Sequence, residues 1–168
     1  AMGKAIIPSF HFDKAKVVVS IAADFQGSWL QSNVFSADFA KTRVPEGKWM
    51  SKHFQFESNL SLSGSNADVR TMIKPSQEGK VAAAIYSALT GGGAASIEGV
   101  NNKAIQSAAN ALKAAAGESI VIAGSNDVNV QRIVAEINKT LNNYGATINT
   151  DNPLNLYQGN DTTFAGLV

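Results

Sequence analysis

No cysteine occurs in this chain. That excludes disulfides, thiolate zinc sites and iron–sulfur ligation within these residues, and says nothing of the compartment. Charge is also scarce: only 16% of the 168 residues are Asp, Glu, Lys or Arg, against about 25% in a typical soluble domain. A chain so poor in charge, and 45% hydrophobic, reads as a piece of a larger assembly. The formal net charge of +1 gives no electrostatic case for nucleic acid or an anionic membrane surface. No apolar run approaches the roughly 20 residues of a bilayer-spanning helix. No basic flank followed by an apolar core marks a signal peptide. Ala1-Met2 reads as a tag remnant before a cloned start, which leaves room for an upstream targeting signal. His11 and His53 are the only histidines, far apart and with no carboxylate at metal-ligand spacing. Structural or solvent-facing roles are expected for both.

What is present is an alternation of strands and helices. Residues 16–22 (KVVVSIA) are β-branched and apolar on both faces, as a buried parallel strand requires. Residues 24–28 form a turn with Gly27 as its flexible point. Residues 29–43 are mixed, with a helix expected over 35–41 and a break at Pro45-Glu46-Gly47. Residues 50–56 (MSKHFQF) alternate as a second strand, 58–66 have loop composition, and 69–73 form a short third strand. Pro75-Ser76 opens a helix with Glu78 in its first turn, and Val81, Ile85 and Leu89 give it an apolar stripe.

Residues 90–96 (TGGGAAS) hold three consecutive glycines, which cannot sustain a helix and mark a linker. Beyond it lie an Ala-rich helix over 102–116 ended by Gly117, a buried strand over 119–123 (SIVIA), and a turn, Gly124-Ser125-Asn126-Asp127. A helix over 128–144 stopped by Gly145 and a short strand over 146–149 follow. Residues 151–168 are polar, close on Leu167-Val168, and read as a chain cut as its next element begins. The expectation is an α/β fold, Rossmann-like and three-layered, with a mostly parallel sheet. It divides into a first α/β unit over 1–90, a Gly-rich linker over 91–99 and a second, incomplete unit over 100–168. An incomplete sheet leaves an edge strand and an uncovered face, so self-association of the isolated chain is expected.

No nucleophile–base pair stands out. The 91–93 glycines follow a helix rather than a strand, so they read as linker and not as a phosphate loop. The 124–127 turn has the right context but lacks GxGxxG spacing and a Walker lysine. Helix capping by Ser125 or Asn126 is its expected role. Asp24 follows the first strand, at the edge where α/β sheets place ligands, and Glu57 ends the second, where an acid can bind ribose hydroxyls. Without the glycine fingerprint, Asp24 reads as a turn cap and Glu57 as vestigial. Asp68 and Arg70 are expected to form a local ion pair that fixes the loop, contributing about 0–1 kcal/mol if exposed. Trp29 and Trp49 read as core or interface anchors.

One stretch is more specific. Residues 17–29 (VVVSIAADFQGSW) and 50–79 (MSKHFQFESNLSLSGSNADVRTMIKPSQEG) together resemble the molybdopterin-oxidoreductase-like subunit of bacterial alternative complex III. That assembly is a quinol:electron-acceptor oxidoreductase of the respiratory chain. The matching pieces are Ala23-Asp24-Phe25 with Trp29, Phe56-Glu57-Ser58-Asn59, residues 64–68, Lys74-Pro75-Ser76 and Glu78-Gly79. The likeness covers most of residues 12–90 and continues more weakly through 119–126 and Gln158-Gly159-Asn160-Asp161.

The resemblance implies a molybdopterin-enzyme-like part that holds no molybdenum cofactor, with iron–sulfur clusters elsewhere in the full subunit. It implies docking against other subunits of a membrane-bound complex, at the periplasmic face of the bacterial inner membrane. True molybdopterin enzymes start a helix with Pro-Gly-Thr-Asp near the cofactor; here Ser76 and then Gln77-Glu78 follow Pro75. A Cβ where backbone must approach a ligand is unfavourable. Asp24, Glu57, Asp68, Ser76 and Glu78 are therefore expected to be vestigial cofactor-site positions. No catalytic residue, metal or cofactor is expected in this chain. Two other readings stay open: a fragment of a true molybdopterin oxidoreductase binding a molybdopterin guanine dinucleotide, and an independent small-molecule-binding α/β module.

Overall fold

Thirteen elements follow one another in a computed structural model that describes residues 6–93 and 95–154, with Leu156 and Gly166. The weakly matched run Gln158-Gly159-Asn160-Asp161, the apolar end Leu167-Val168 and Ala1-Met2 lie outside these residues. The order is β1 (Ile7–Phe10), a 3-10 turn (Phe12–Lys14), β2 (Val17–Ile21), α1 (Ser32–Lys41), β3 (Lys52–Glu57) and α2 (Leu62–Ser65). Then come β4 (Val69–Met72), a 3-10 turn (Pro75–Gln77), α3 (Glu78–Leu89), α4 (Asn102–Ala114), β5 (Ser119–Ala123), α5 (Val128–Thr140) and β6 (Ile148–Leu154).

The apolar runs dictate the sheet. Every residue of β2 and β5 is buried, which only a strand covered on both faces allows. Four strands pair in the order β4-β3-β2-β5, all parallel, with Val19 opposite both Phe54 and Val121. β1 and β6 form a separate antiparallel ribbon. The chain is thus a mixed α/β fold with parallel and antiparallel sheet elements.

Val17, Val19, Ile21, Phe54, Phe56 and Val121 face one side, where Val81 and Ile85 of α3, Ile105 and Leu112 of α4, and Ile137 of α5 close over them. Val18, Ile120 and Ile122 face the other side and meet Phe12, Phe25, Phe35 and Phe39. Phe12 and Phe25 stack with ring centroids 4.4 Å apart, and Phe39 meets Phe25 edge-on at 5.3 Å. Burial of each such side chain is worth about 1.5–3 kcal/mol, so these two layers carry the fold.

Several expectations change. The 91–99 segment connects α3 to α4, and Gly91 and Gly93 adopt left-handed φ of 93° and 74°. β5, from the expected second unit, pairs with β2 of the first, and one apolar cluster includes residues from both stretches. The 58–66 loop contains a helical turn, α2, because the Ser61 hydroxyl caps Gly64 N at 2.9 Å. Pro75-Ser76 makes a 3-10 turn before α3 begins at Glu78. α5 ends at Thr140, ahead of Asn142 in the left-handed region, five residues before Gly145. β1 escaped sequence reading, and β6 extends past Asn149 to Leu154.

The two sheet edges differ sharply. Among the described residues β5 has no strand on its outer side, yet Ser119 O, Val121 N and O, and Ala123 O are all paired. Asn138 of α5 accepts from Val121 N at 3.1 Å and donates to Val121 O at 2.7 Å, as a neighbouring strand would. Gln131, seven residues earlier, donates to Ala123 O at 3.0 Å, and the Thr147 hydroxyl donates to Ser119 O at 2.5 Å. Side-chain amides therefore close the β5 edge. β4, the other outer strand, is exposed at Arg70 and Met72.

Asn138→Leu keeps the volume and orphans both main-chain groups of Val121. Each buried unsatisfied group costs about 1–3 kcal/mol. We expect urea denaturation to show a loss of about 2–4 kcal/mol and the Val121 amide to exchange faster. Unchanged stability would mean that the Asn138 amide does not hold this edge.

Candidate functional site

Strand β3 carries its phenylalanines, Phe54 and Phe56, on one face and His53, Gln55 and Glu57 on the other. All three polar side chains are buried, with relative exposures of 0%, 0% and 3%. A buried polar row is tolerated only when its members satisfy one another. The Gln55 amide donates to Glu57 Oε2 at 3.1 Å, which leaves Gln55 Oε1 to face His53 Nε2 at 3.0 Å. An acceptor there requires the proton on Nε2, so Nδ1 carries a lone pair. Nδ1 is buried without a partner, and the rings of Phe25 and Phe39 pack against the imidazole edge-on. A second proton would create a buried orphan N–H. Burial accordingly lowers the His53 pKa to about 4, against the raising influence of Gln55 and Asp68.

Glu57 ends the row and collects the loop. It accepts from Ser61 N at 3.2 Å, Ser61 Oγ at 2.5 Å and Arg70 Nε at 2.6 Å. Burial pushes its pKa up, but these hydrogen bonds together with that from Gln55 outweigh it and hold the carboxyl below its ordinary value. Gly64 is required beside it, since a Cβ there would overlap the Glu57 carboxylate. Asp24 anchors α2 from the other side: its Oδ1 accepts from Ser63 N at 2.9 Å and Ser63 Oγ at 2.8 Å. Its backbone carbonyl accepts from the amides of Gly27, Ser28 and Trp29, which builds the turn.

Asp68 lies before β4, at the opposite end of the sheet from Asp24 and Glu57. It takes a forked pair from Arg43 at 2.8 and 3.0 Å and the His53 amide at 2.7 Å. The expected Asp68–Arg70 pair does not form. Arg70 stands opposite Gln55 in the register and reaches Glu57, while Asp68 turns back to the start of β3. Burial raises the Asp68 pKa, but Arg43 and the His53 amide prevail and lower it. Ser76 is exposed on its 3-10 turn, and Glu78 opens α3 half-buried with its pKa raised by burial. The structure therefore joins Asp24 and Glu57 through α2 and separates Asp68 from them; among their hydrogen bonds none reaches Ser76 or Glu78.

His53, Gln55, Arg43, Ser61 and Ser63 escaped sequence reading as members of this network. The signal was the spacing of His53, Gln55 and Glu57 at every second position between two phenylalanines. His11 uses its backbone amide, donating to Thr147 O at 2.8 Å. Trp29 is half-buried against Phe10 at 5.3 Å, and Trp49 is exposed. Among the described residues no three His, Asp or Glu side chains converge as a metal site, and no helix is long and apolar enough to cross a membrane. Chemically, Glu57 and Asp68, held ionised by two or more internal donors, are poor proton acceptors, and the hydroxyls beside Glu57 and Asp24, those of Ser61 and Ser63, are engaged as donors to them. A scan of protein-family models and a search of curated proteins return no match to this chain.

Asp68→Ala removes the forked pair and leaves the His53 amide without its acceptor. We expect a stability loss of about 1–2 kcal/mol, because the pair is partly exposed. An unchanged melting temperature would remove the structural assignment of Asp68.

The pH dependence follows from His53. Its folded pKa of about 4 lies below the unfolded value near 6.5, so its contribution is complete above pH ~6.5 and is lost as pH falls toward about 4. The loss amounts to something on the order of 3 kcal/mol. Glu57 and Asp68, also lowered, add a further loss below the ordinary carboxylate range. Chemical denaturation at pH 7, 5.5 and 4.5 should show falling stability, and His53→Gln should flatten that slope. A slope that persists in the variant would place the titrating group elsewhere.

Proposed function

We propose that this chain is a non-catalytic structural module, built on a Rossmann-like, molybdopterin-oxidoreductase-like plan, that docks within an electron-transfer complex. The observation that carries the non-catalytic half is the internal use of Asp24, Glu57 and Asp68. Each carboxylate accepts two or more hydrogen bonds from its own chain. A cofactor approaching the ends of β2 and β3 would have to displace α2, whose Ser61 and Ser63 are held by those acids. Ser76, where the resembling cofactor enzymes carry glycine, supports the same reading.

The docking half is supported by the open β4 edge and by exposed apolar side chains on β4 and around α2. Met72 is 69% exposed, Leu60 68% and Leu62 53%. A free strand edge and exposed large apolar side chains both suit a partner surface. Placement in a quinol-oxidising respiratory complex, at the periplasmic face of the bacterial inner membrane, rests on the sequence resemblance alone. So does the expectation of iron–sulfur clusters elsewhere in the full subunit.

Calorimetric titration of the protein with guanine and nicotinamide dinucleotides tests the reading. We expect no saturable heat with either. Micromolar binding of a guanine dinucleotide would favour a true molybdopterin enzyme and overturn the structural-module reading. Cysteine clusters in the adjoining coding sequence are expected if the electron-transfer placement is correct, and their absence would remove that half.

A further inference from the structure

A cavity of about 570 Å³ opens between the β1 ribbon, the loop after β2 and helix α5. Its position follows from the topology. The chain steps from β2 outward to β3 and β4, then returns to place β5 on the other side of β2. Strand order therefore reverses at β2–β5, and α/β sheets characteristically hold ligands outside the carboxyl ends of the strands at such a point. The loops leaving those two strands both line the cavity, through Trp29 and Leu30 after β2 and Gly124 to Asn126 after β5. Gly124 is obligatory at this junction, because a Cβ would overlap the Ala22 carbonyl.

The lining chemistry specifies an occupant. Phe10, Trp29, Leu30, Tyr144 and Ile148 supply an apolar and aromatic wall. The floor runs along the β5 edge, where Asn138 and Gln131 already pair the main chain. A peptide strand would find no free backbone groups at Val121, which disfavours strand addition and leaves a small molecule. Arg132 is the only lining residue that is charged at neutral pH. Among the described residues it makes no ion pair. Asp127 and Glu136, its acidic neighbours on α5, are not among the lining residues. We infer that this groove binds an amphipathic organic anion, with its apolar or aromatic body against Trp29 and Phe10 and its single acidic group on the Arg132 guanidinium.

Two dyes of nearly equal shape separate the charge from the apolar contact. 8-Anilinonaphthalene-1-sulfonate carries the anion, and N-phenyl-1-naphthylamine lacks it. In a Trp49→Phe background, where Trp29 is the sole tryptophan, the sulfonate should bind saturably, one per chain, and quench Trp29. Arg132→Gln, at an exposed position, should weaken the sulfonate about tenfold or more, the usual worth of a charge-assisted hydrogen bond. The neutral dye should change less than about twofold, since it keeps the apolar contact. Ala135→Trp, which fills the groove from α5, should abolish both. No saturable binding, an equal effect on the two dyes, or an Arg132→Gln variant that binds the sulfonate normally would each overturn the assignment.

Discussion

Glu57 is the residue on which the arrangement of this chain depends. It is a buried carboxylate at the carboxyl end of β3 that accepts from Gln55 on its own strand, from Ser61 at the start of α2 and from Arg70 on β4. An unpaired charge in that position would cost several kcal/mol, and the donors around it are what make it tolerable. They come from three consecutive elements, so the acid determines where the chain goes after β3. Ser61 must cap a helical turn there, Gly64 must lack a Cβ, and Arg70 must lie opposite Gln55. Asp24 does the same for β2 by holding Ser63, so α2 is clamped between two strand ends by two carboxylates.

The same economy explains the difference between the two edges. β5 is buried on all its residues, and unpaired main-chain groups in that setting would carry a full desolvation cost. Asn138 and Gln131 lie two turns apart on one face of α5, a spacing that matches the outward groups of Val121 and Ala123. Packing α5 against the sheet and closing the edge are thus one event. Among the described residues no side-chain amide pairs the outer edge of β4 in this way, and the strand is exposed at Arg70 and Met72.

The apolar strands were legible because β-branched runs report burial directly: residues 119–123 were read to the residue, and 16–22 within one at each end. The helices α3, α4 and α5 were legible from period, but their ends depended on local geometry, such as Asn142 turning left-handed ahead of Gly145. The pairing of β5 with β2 was not legible, because three glycines between α3 and α4 look alike whether they separate domains or only let the chain turn. The Asp68–Arg70 expectation failed for a related reason. Neighbours at i and i+2 on a strand share a face, yet Arg70 and Asp68 found better acceptors and donors in β3 and at Arg43, far away in sequence. Asp24 and Glu57 were correctly placed at strand ends, whereas their partners in α2 sat in a stretch read as featureless loop.

These constraints also decide where a ligand can go. In a parallel sheet the strand ends offer an open polar rim, and ligands usually occupy it. Here the rim above β2 and β3 is filled by α2, held by Asp24 through Ser63 and by Glu57 through Ser61. The rim above β5 is different. Gly124 tucks against Ala22, the strand edge is sealed by amides, and the space beyond is apolar with a single cation. At the first place the polar groups a multiply hydrogen-bonding ligand would use are engaged by α2 and β4. The second place offers little to hydrogen-bond and much to bury, which is the ground for proposing an occupant of apolar area with one negative group. On the reading proposed above, the polar side chains are spent at the ends of β2 and β3, and the groove beside β5 is left to apolar contact with one cation.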